Sequence, residues 1–294
     1  MTLPSLSQKM IVGTVQFGLH YGISNSKGQV SREEVCQILT HAHAKGVTTL
    51  DTAAAYGESE EAIGFALRET GLSFNIISKL PPVKSVGEVR RELEKSMVKL
   101  GVQKLEGYLL HHFSIYKNTP LVVQELLKLQ EEGLIGSIGF SLYHPKEVQE
   151  ILDQLVPCQL VQFPYNLFDR RFDQVLDKLK DQQIETHVRS IFLQGLFFMN
   201  PSELGIHFSG VKDKIASLQH MARRMKIPLH TLLLSFVAAQ PNIDKFVIGI
   251  DSLESLRKNL EGFLPASQIQ ETAAALAPYT VEDEDILLPF NWKF

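Results

Sequence analysis

Short runs of β-branched and apolar residues alternate with longer stretches of helical period along most of this chain, and the alternation occurs eight times. The runs that read as strands are Met10–Thr14, Thr48–Asp51, Asn75–Lys79, Leu105–His111, Ser137–Ser141, Leu160–Phe163, Glu185–Ser190 and Lys245–Ile250. Parallel strands cannot be joined by a tight turn. They need a crossover of about a dozen residues or more, almost always right-handed and often helical. The pattern therefore predicts an α/β fold with a parallel sheet. Eight repeats favour closure into a single (β/α)8 TIM barrel, whereas an open doubly wound sheet would show the same alternation with fewer strands.

Helix starts are marked by local chemistry. Ser31-Arg-Glu-Glu34 and Ser85-Val-Gly-Glu88 have the spacing of capping boxes, in which a hydroxyl accepts an orphan N–H and a glutamate reaches back. Pro145 after His144 opens another helix where a missing N–H costs nothing. The stretch from Asn200 to Pro228 is longer than a barrel loop requires and predicts an extra loop and helix before the helix Leu229–Gln240. No low-complexity linker divides the chain, so residues 1–294 read as one barrel domain with a tail from about 279.

Bulk properties narrow the function. At 294 residues, 44% hydrophobic and 21% charged, the chain can bury a large core without staples. The net charge is -4 with both signs dispersed, and no basic block or basic amphipathic helix argues for nucleic acid or a membrane surface. Cys36 and Cys158 are the only cysteines and stand far apart, which suits small core residues in a reducing, cytoplasmic setting. Met1 to Lys9 lacks an apolar leader core, and no run approaches membrane-spanning length. His41 and His43 lie two apart on a helix and face apart, while His111 and His112, adjacent on a strand, are expected on opposite sides. No metal site is implied.

Chemistry-bearing residues gather at the carboxyl ends of the strands. Asp51 ends the second, Lys79 the third, His111 the fourth, Ser141 the fifth and Ser190 the seventh. Gln162 and Gly249 lie near the ends of the sixth and eighth. In a closed barrel these ends open on one face. Each residue alone has a packing explanation: Asp51 and Lys79 as a rim ion pair, Tyr56 as an ordinary loop tyrosine. An Asp, a Lys and a His at three successive strand ends are harder to assign to packing, because buried charges need partners.

Leu50-Asp-Thr-Ala-Ala-Ala-Tyr-Gly-Glu-Ser-Glu60 resembles the aldo/keto reductase signature. Ile77-Ser-Lys79, Tyr108-Leu-Leu-His111, Ser137-Ile-Gly-Phe-Ser141, Val161-Gln-Phe-Pro-Tyr-Asn166 and Val247-Ile-Gly-Ile-Asp-Ser252 resemble its later segments in the same order, from Gly13 to Asn259. The resemblance implies a reductase of small aldehydes, ketones or sugars. Its catalytic residues would be Asp51, Tyr56, Lys79 and His111: Tyr56 the proton donor, Lys79 lowering its pKa, Asp51 holding the ammonium, His111 orienting the carbonyl. It implies NADPH, with NADH as the alternative. Thr14, Ser141 and Gln162 would lie near the nicotinamide, Tyr165 would stack on it, and Ser190, Leu193 and Gly195 would follow the pyrophosphate. Gly249, a helix beginning near Ser252, and Asn259 would meet the adenosine end.

The chain departs from the family pattern at Leu142, Ile191 and His112-Phe113, and at Asp251, where a carboxylate would repel a 2′-phosphate unless Ser252, Arg257 and Lys258 offset it. Substrate selection would fall to Gln16–Ile23, Tyr56–Gly57, the Lys117 region and the tail Val281–Phe294, which either covers the pocket or anchors to the barrel's outside. The implied partner is a small carbonyl compound, and the chain is expected as a monomer or weak homo-oligomer. Two other readings stand beside this one: a cofactor-binding regulatory module of the same fold, and a Schiff-base lyase using Lys79.

Overall fold

In the computed structural model, which describes residues 6–293 apart from 24, 26 and 262, eight parallel strands close into a barrel in sequence order. They are β1 (Met10–Gly13), β2 (Thr49–Asp51), β3 (Asn75–Leu80), β4 (Leu105–Leu110), β5 (Ile135–Ser141), β6 (Leu160–Pro164), β7 (Glu185–Arg189) and β8 (Lys245–Gly249). Closure is made by β1, which pairs with both β2 and β8. All eight expected strands are present, with ends differing by one or two residues. Phe294 and the first five residues fall outside the described chain.

Register fixes which side chains face inward. Ile11 pairs with Val247, Asp51 with Ile77, Lys79 with Leu109 and Gly139 with Leu160. Paired residues of parallel strands share a face, so the two-residue period sends Asp51, Lys79, Ser141, Gln162 and Arg189 inside, while Leu50, Ser78 and Leu110 meet the helices. Ile11, Ile77, Leu109, Leu160 and Val247 form a small cluster separate from the main core, as residues contacting one another across a barrel lumen must. At the amino end of the lumen, Glu185 Oε1 accepts from His187 Nε2 at 2.9 Å and from Lys245 Nζ at 3.1 Å. The larger core lies between strands and helices, where helix Arg32–Ala44 buries Val35, Ile38, Leu39 and Ala42.

The helix starts differ from the pattern in detail. Ser31 accepts from Glu34 N, but Glu34 does not reach back; its Oε1 takes Leu253 N–H at 3.1 Å. Helix Gly87–Leu100 begins after Val86, and Glu88 Oε2 accepts from Lys84 N instead of serving a Ser85 box. Pro145 opens its helix as expected, with Glu147 Oε2 accepting from both Tyr143 N and His144 N. The long segment before helix Leu229–Ala238 holds short 3-10 turns and helix Lys212–Arg224. Cys36 and Cys158 are free and only partly buried, packed against the edge of the core instead of within it. Among the described residues no helix is long and apolar enough to cross a membrane.

Candidate active site

The carboxyl ends of the strands open into a cavity of about 700 Å³ whose wall includes Asp51, Tyr56 and His111 at one end and Asp251, Ser255 and Asn259 at the other. At its floor Lys79, 1% exposed, meets both oxygens of Asp51, at 2.6 and 2.8 Å, and the carbonyl of Thr52 at 3.0 Å. Its ammonium lies 3.4 Å from the Tyr56 hydroxyl. The His111 ring stands edge-on to Tyr56 with centroids 5.7 Å apart. The four residues singled out in the sequence thus converge, although β2, β3 and the loops after β2 and β4 supply them.

Backbone packing sets the position of Tyr56. Its N–H donates to Ala53 O, and Ser59 N donates to its carbonyl, so a tight turn carries the residue from β2 back over the lumen. The chain after β1 crosses this turn so closely that a Cβ on Gly18 would lie 1.9 Å from Tyr56 O. Gly57, at φ +57°, has Gly18 O at 2.4 Å from where its own Cβ would stand. Ser59 Oγ locks the same junction by donating at 2.8 Å to Thr14 Oγ1, which in turn donates to Asp51 O.

The electrostatics differ from expectation. Lys79 does not pull the Tyr56 phenol down; burial pushes it well up, and the Asp51 carboxylate adds to the rise, with Arg189 the opposing charge. Burial pulls Lys79 itself below its usual range, countered in part by Asp51. His111 is pushed down to about 3, by burial first and Lys79 second, and is neutral at ordinary pH.

The groove residues divide. Thr14, Ser141, Ser190, Gly195, Gly249 and Asn259 line the cavity. Gln162 is fully buried behind it, donating from Nε2 to Asp51 at 2.7 Å; its Oε1 is buried and has no partner among the described residues. Tyr165 does not reach the cavity. Its backbone follows Pro164 out of β6, its hydroxyl donates to Asp173 at 2.7 Å, and its ring stacks on Phe236. Leu193 is wholly buried, and its N–H and that of Gly195 donate to Ser190 and Phe192 carbonyls within the turn.

Ser252 caps helix Leu253–Leu260 as expected, accepting from Ser255 N. The first N–H of that helix, Leu253, is already taken by Glu34. Asp251 and Lys258 both line the cavity, Lys258 also pairs with Glu254 at 2.6 Å, and Arg257 lines a separate shallow cleft beside Cys36.

Residues beyond the motifs complete the wall. The His111 and His112 rings are stacked at 4.9 Å, because β4 ends at Leu110 and the strand alternation stops before them. Tyr143 stacks on His112 and meets Phe290 of the tail edge-on. The tail both covers and anchors: Pro289 and Phe290 line the cavity, while Trp292 is buried, donates to Ile286 O and packs edge-on to Phe208. Tyr21, in the loop after β1, also lines the cavity. Lys117 does not; it pairs with Glu150 on the surface. Arg189 lines the cavity beside Tyr143, and the inward period of β7 carries the signal for it.

Known proteins resemble this chain in sequence and fold. The oxidoreductase YqkF of Bacillus subtilis, itself uncharacterised, is 23% identical over 278 residues, 86% of this chain and 89% of its own. A probable aldo-keto reductase of Glycine max is 24% identical over 271 residues, covering 88% of this chain and 70% of its own. The holo form of an aldo-keto reductase from Bacillus halodurans superposes with a TM-score of 0.77 over 94% of each chain at 18% identity, which speaks for the fold. The profile of the Aldo/keto reductase family matches residues 9–277. With a match over nearly the whole barrel, the chain belongs to the aldo/keto reductase family of oxidoreductases.

Proposed function

We propose that this protein reduces a small aldehyde, ketone or sugar carbonyl with NAD(P)H, Tyr56 delivering the proton. The observation that carries this reading is the buried contact of the Asp51–Lys79 pair with the Tyr56 hydroxyl at the floor of an open groove. Bound there, the dihydronicotinamide supplies the hydride.

A phenol raised by burial stays protonated across the working pH range, which is the state a donor needs. It can still protonate a carbonyl oxygen that is becoming an alkoxide, since an alkoxide is the stronger base. As the proton leaves, Lys79 is the nearest cation to the phenolate, and Asp51 keeps it aimed. His111, neutral, polarises the carbonyl through an N–H without adding a charge to a dry site. The bonds from Lys79 to two carboxylate oxygens and the Thr52 carbonyl occupy its three donors, which argues against a lyase that needs a free amine.

The residues present fit a dinucleotide. Ser141 and the unpartnered Gln162 Oε1 suit a carboxamide, and the cavity continues to Asn259. The adenosine end favours NADH over NADPH in our reading, reversing the order implied by family resemblance. Asp251 lines the cavity and Glu34 already takes the Leu253 N–H of the helix terminus, while Lys258, the cation lining that end, is paired with Glu254.

The test is a carbonyl panel with both cofactors, comparing wild type with Tyr56→Phe. Loss of the proton donor lowers kcat by about 10²- to 10⁴-fold while cofactor Kd stays within about twofold. Full turnover in the variant removes Tyr56 from the acid role.

A further inference from the structure

Several arginines of this protein are matched to carboxylates. Arg171 bonds Asp169 at 2.8 Å and Glu284 at 2.5 Å, and Arg90 bonds Glu132 at 2.5 Å. Arg189 is different. It ends β7 facing the lumen, lines the cavity with Tyr56 and His111, and makes no ion pair among the described residues. Its guanidinium is nonetheless held in place: it lies 4.3 Å over the Tyr143 ring, and Tyr143 is itself stacked on His112 and braced by Phe290. Its two hydrogen bonds are long, 3.3 Å to Leu142 O and 3.5 Å to Ser190 Oγ, so most of its five donors are uncommitted.

The charge around it is one-sided. Asp51 is neutralised by Lys79, and the neighbouring imidazoles His111 and His112 are both held toward the neutral form, by burial first and in part by Arg189. Asp251 belongs to the opposite end of the cavity, with Asn259 and Lys258. Among the described residues that line the catalytic end, Arg189 is the cation without an ionic partner, fixed by an aromatic platform and open to the cavity. A planar fork held in that way suits an oxyanion with two acceptor oxygens.

Resting on the reductase reading above, we propose that Arg189 is a substrate-anion subsite and that the preferred substrates are aldehydes or ketones bearing a carboxylate or phosphate group. The carbonyl sits at Tyr56 and His111, and the anionic group reaches Arg189. Tyr21, Tyr143 and Phe290 enclose the carbon skeleton between them.

The experiment compares matched pairs: 4-oxobutanoate against butanal, and glyceraldehyde 3-phosphate against glyceraldehyde, each at saturating cofactor. The expected result is a kcat/KM at least about tenfold higher for the charged member of one pair, the pair identifying carboxylate or phosphate as the source. Arg189→Gln collapses that ratio toward one through KM, and Arg189→Lys restores part of it. A second readout does not depend on turnover: 4-hydroxybutanoate or inorganic phosphate raises the unfolding temperature of wild type and not of Arg189→Gln.

Equal kcat/KM within both pairs, or an Arg189→Gln variant that weakens charged and neutral substrates alike, overturns the proposal. So does a variant whose main defect is cofactor Kd, which would move Arg189 to the cofactor site. If no member of either pair is reduced, the redox reading fails, and the temperature shift alone judges Arg189.

Discussion

Asp51→Asn changes almost no volume and removes one charge from a site with little water. In the wild type the carboxylate is 3% exposed, accepts twice from Lys79, and takes a third bond from Gln162 Nε2 at 2.7 Å. In the variant the ammonium keeps the Thr52 carbonyl and one amide oxygen, with no counter-charge. Breaking a buried pair by removing one partner costs about 3–5 kcal/mol. A 294-residue chain has an unfolding entropy of roughly 0.6 kcal/mol/K at about 2.1 cal/mol/K per residue, so the melting temperature should fall by about 5–8 °C. Thermal unfolding followed by circular dichroism at pH 7 reads this directly.

Two further measurements tie that loss to charge. Asp51→Asn combined with Lys79→Met removes both ions and should recover at least about half of the loss, because an apolar replacement for a pair is often neutral. The single variant should also gain stability relative to wild type as pH rises. Lys79 is already depressed by burial, and without Asp51 its native pKa falls further below 10.5; over that interval the unfolded chain binds the extra proton. An Asp51→Asn protein that melts within about 1 °C of wild type would refute the account of this pair as a buried, mutually dependent unit, given that a loss of 1 kcal/mol should move it by nearly 2 °C.

Asp251→Ser should improve NADPH affinity relative to NADH by about tenfold, the worth of roughly one repulsive charge contact, measured by fluorescence titration; an unchanged ratio places the carboxylate away from the 2′ position. At the other mouth of the barrel, hydrogen bonding from His187, followed by the His187 and Lys245 charges, holds Glu185 down at about 2 against a net opposing effect of burial. That stabilisation is complete above about pH 4.5 and is lost as pH falls toward about 2. Because the Glu185 side chain is 39% exposed, screening leaves a contribution of about 1 kcal/mol. Glu185→Gln should therefore lower stability at pH 7 and erase the difference from wild type near pH 2, as read by urea unfolding.

The strands were legible because inward positions alternate, and a period of two survives without knowledge of the partner strand. The convergence of Asp51, Lys79 and His111 followed from the same geometry, since the ends of parallel strands share a face. Direction at the ends was not legible. Tyr165 lies three residues beyond Gln162, and only the path of the chain after Pro164 decides that its ring goes to Phe236. His111 and His112 stack because the strand has already stopped. Long-range capping was equally hidden: Glu34 has the spacing to serve Ser31 but serves Leu253, 219 residues away. Arg189 follows Glu185 and His187 at the inward period, yet Ser190 beside it was the residue that matched a motif. The rise of the phenol was not legible because its first cause is burial, which no local motif encodes, with the Asp51 charge adding to it.

The aliphatic cluster of Ile11, Ile77, Leu109, Leu160 and Val247 separates two charged assemblies in one lumen. It fills part of the lumen with side chains that carry no proton, while Gln162, in register with His187 and bonded to Asp51, is the polar residue between the two assemblies. The direct route for a proton that replenishes Tyr56 is the open mouth, past the tail and the loop after β1. Charge redesign at the closed end should then leave the chemistry at the mouth untouched.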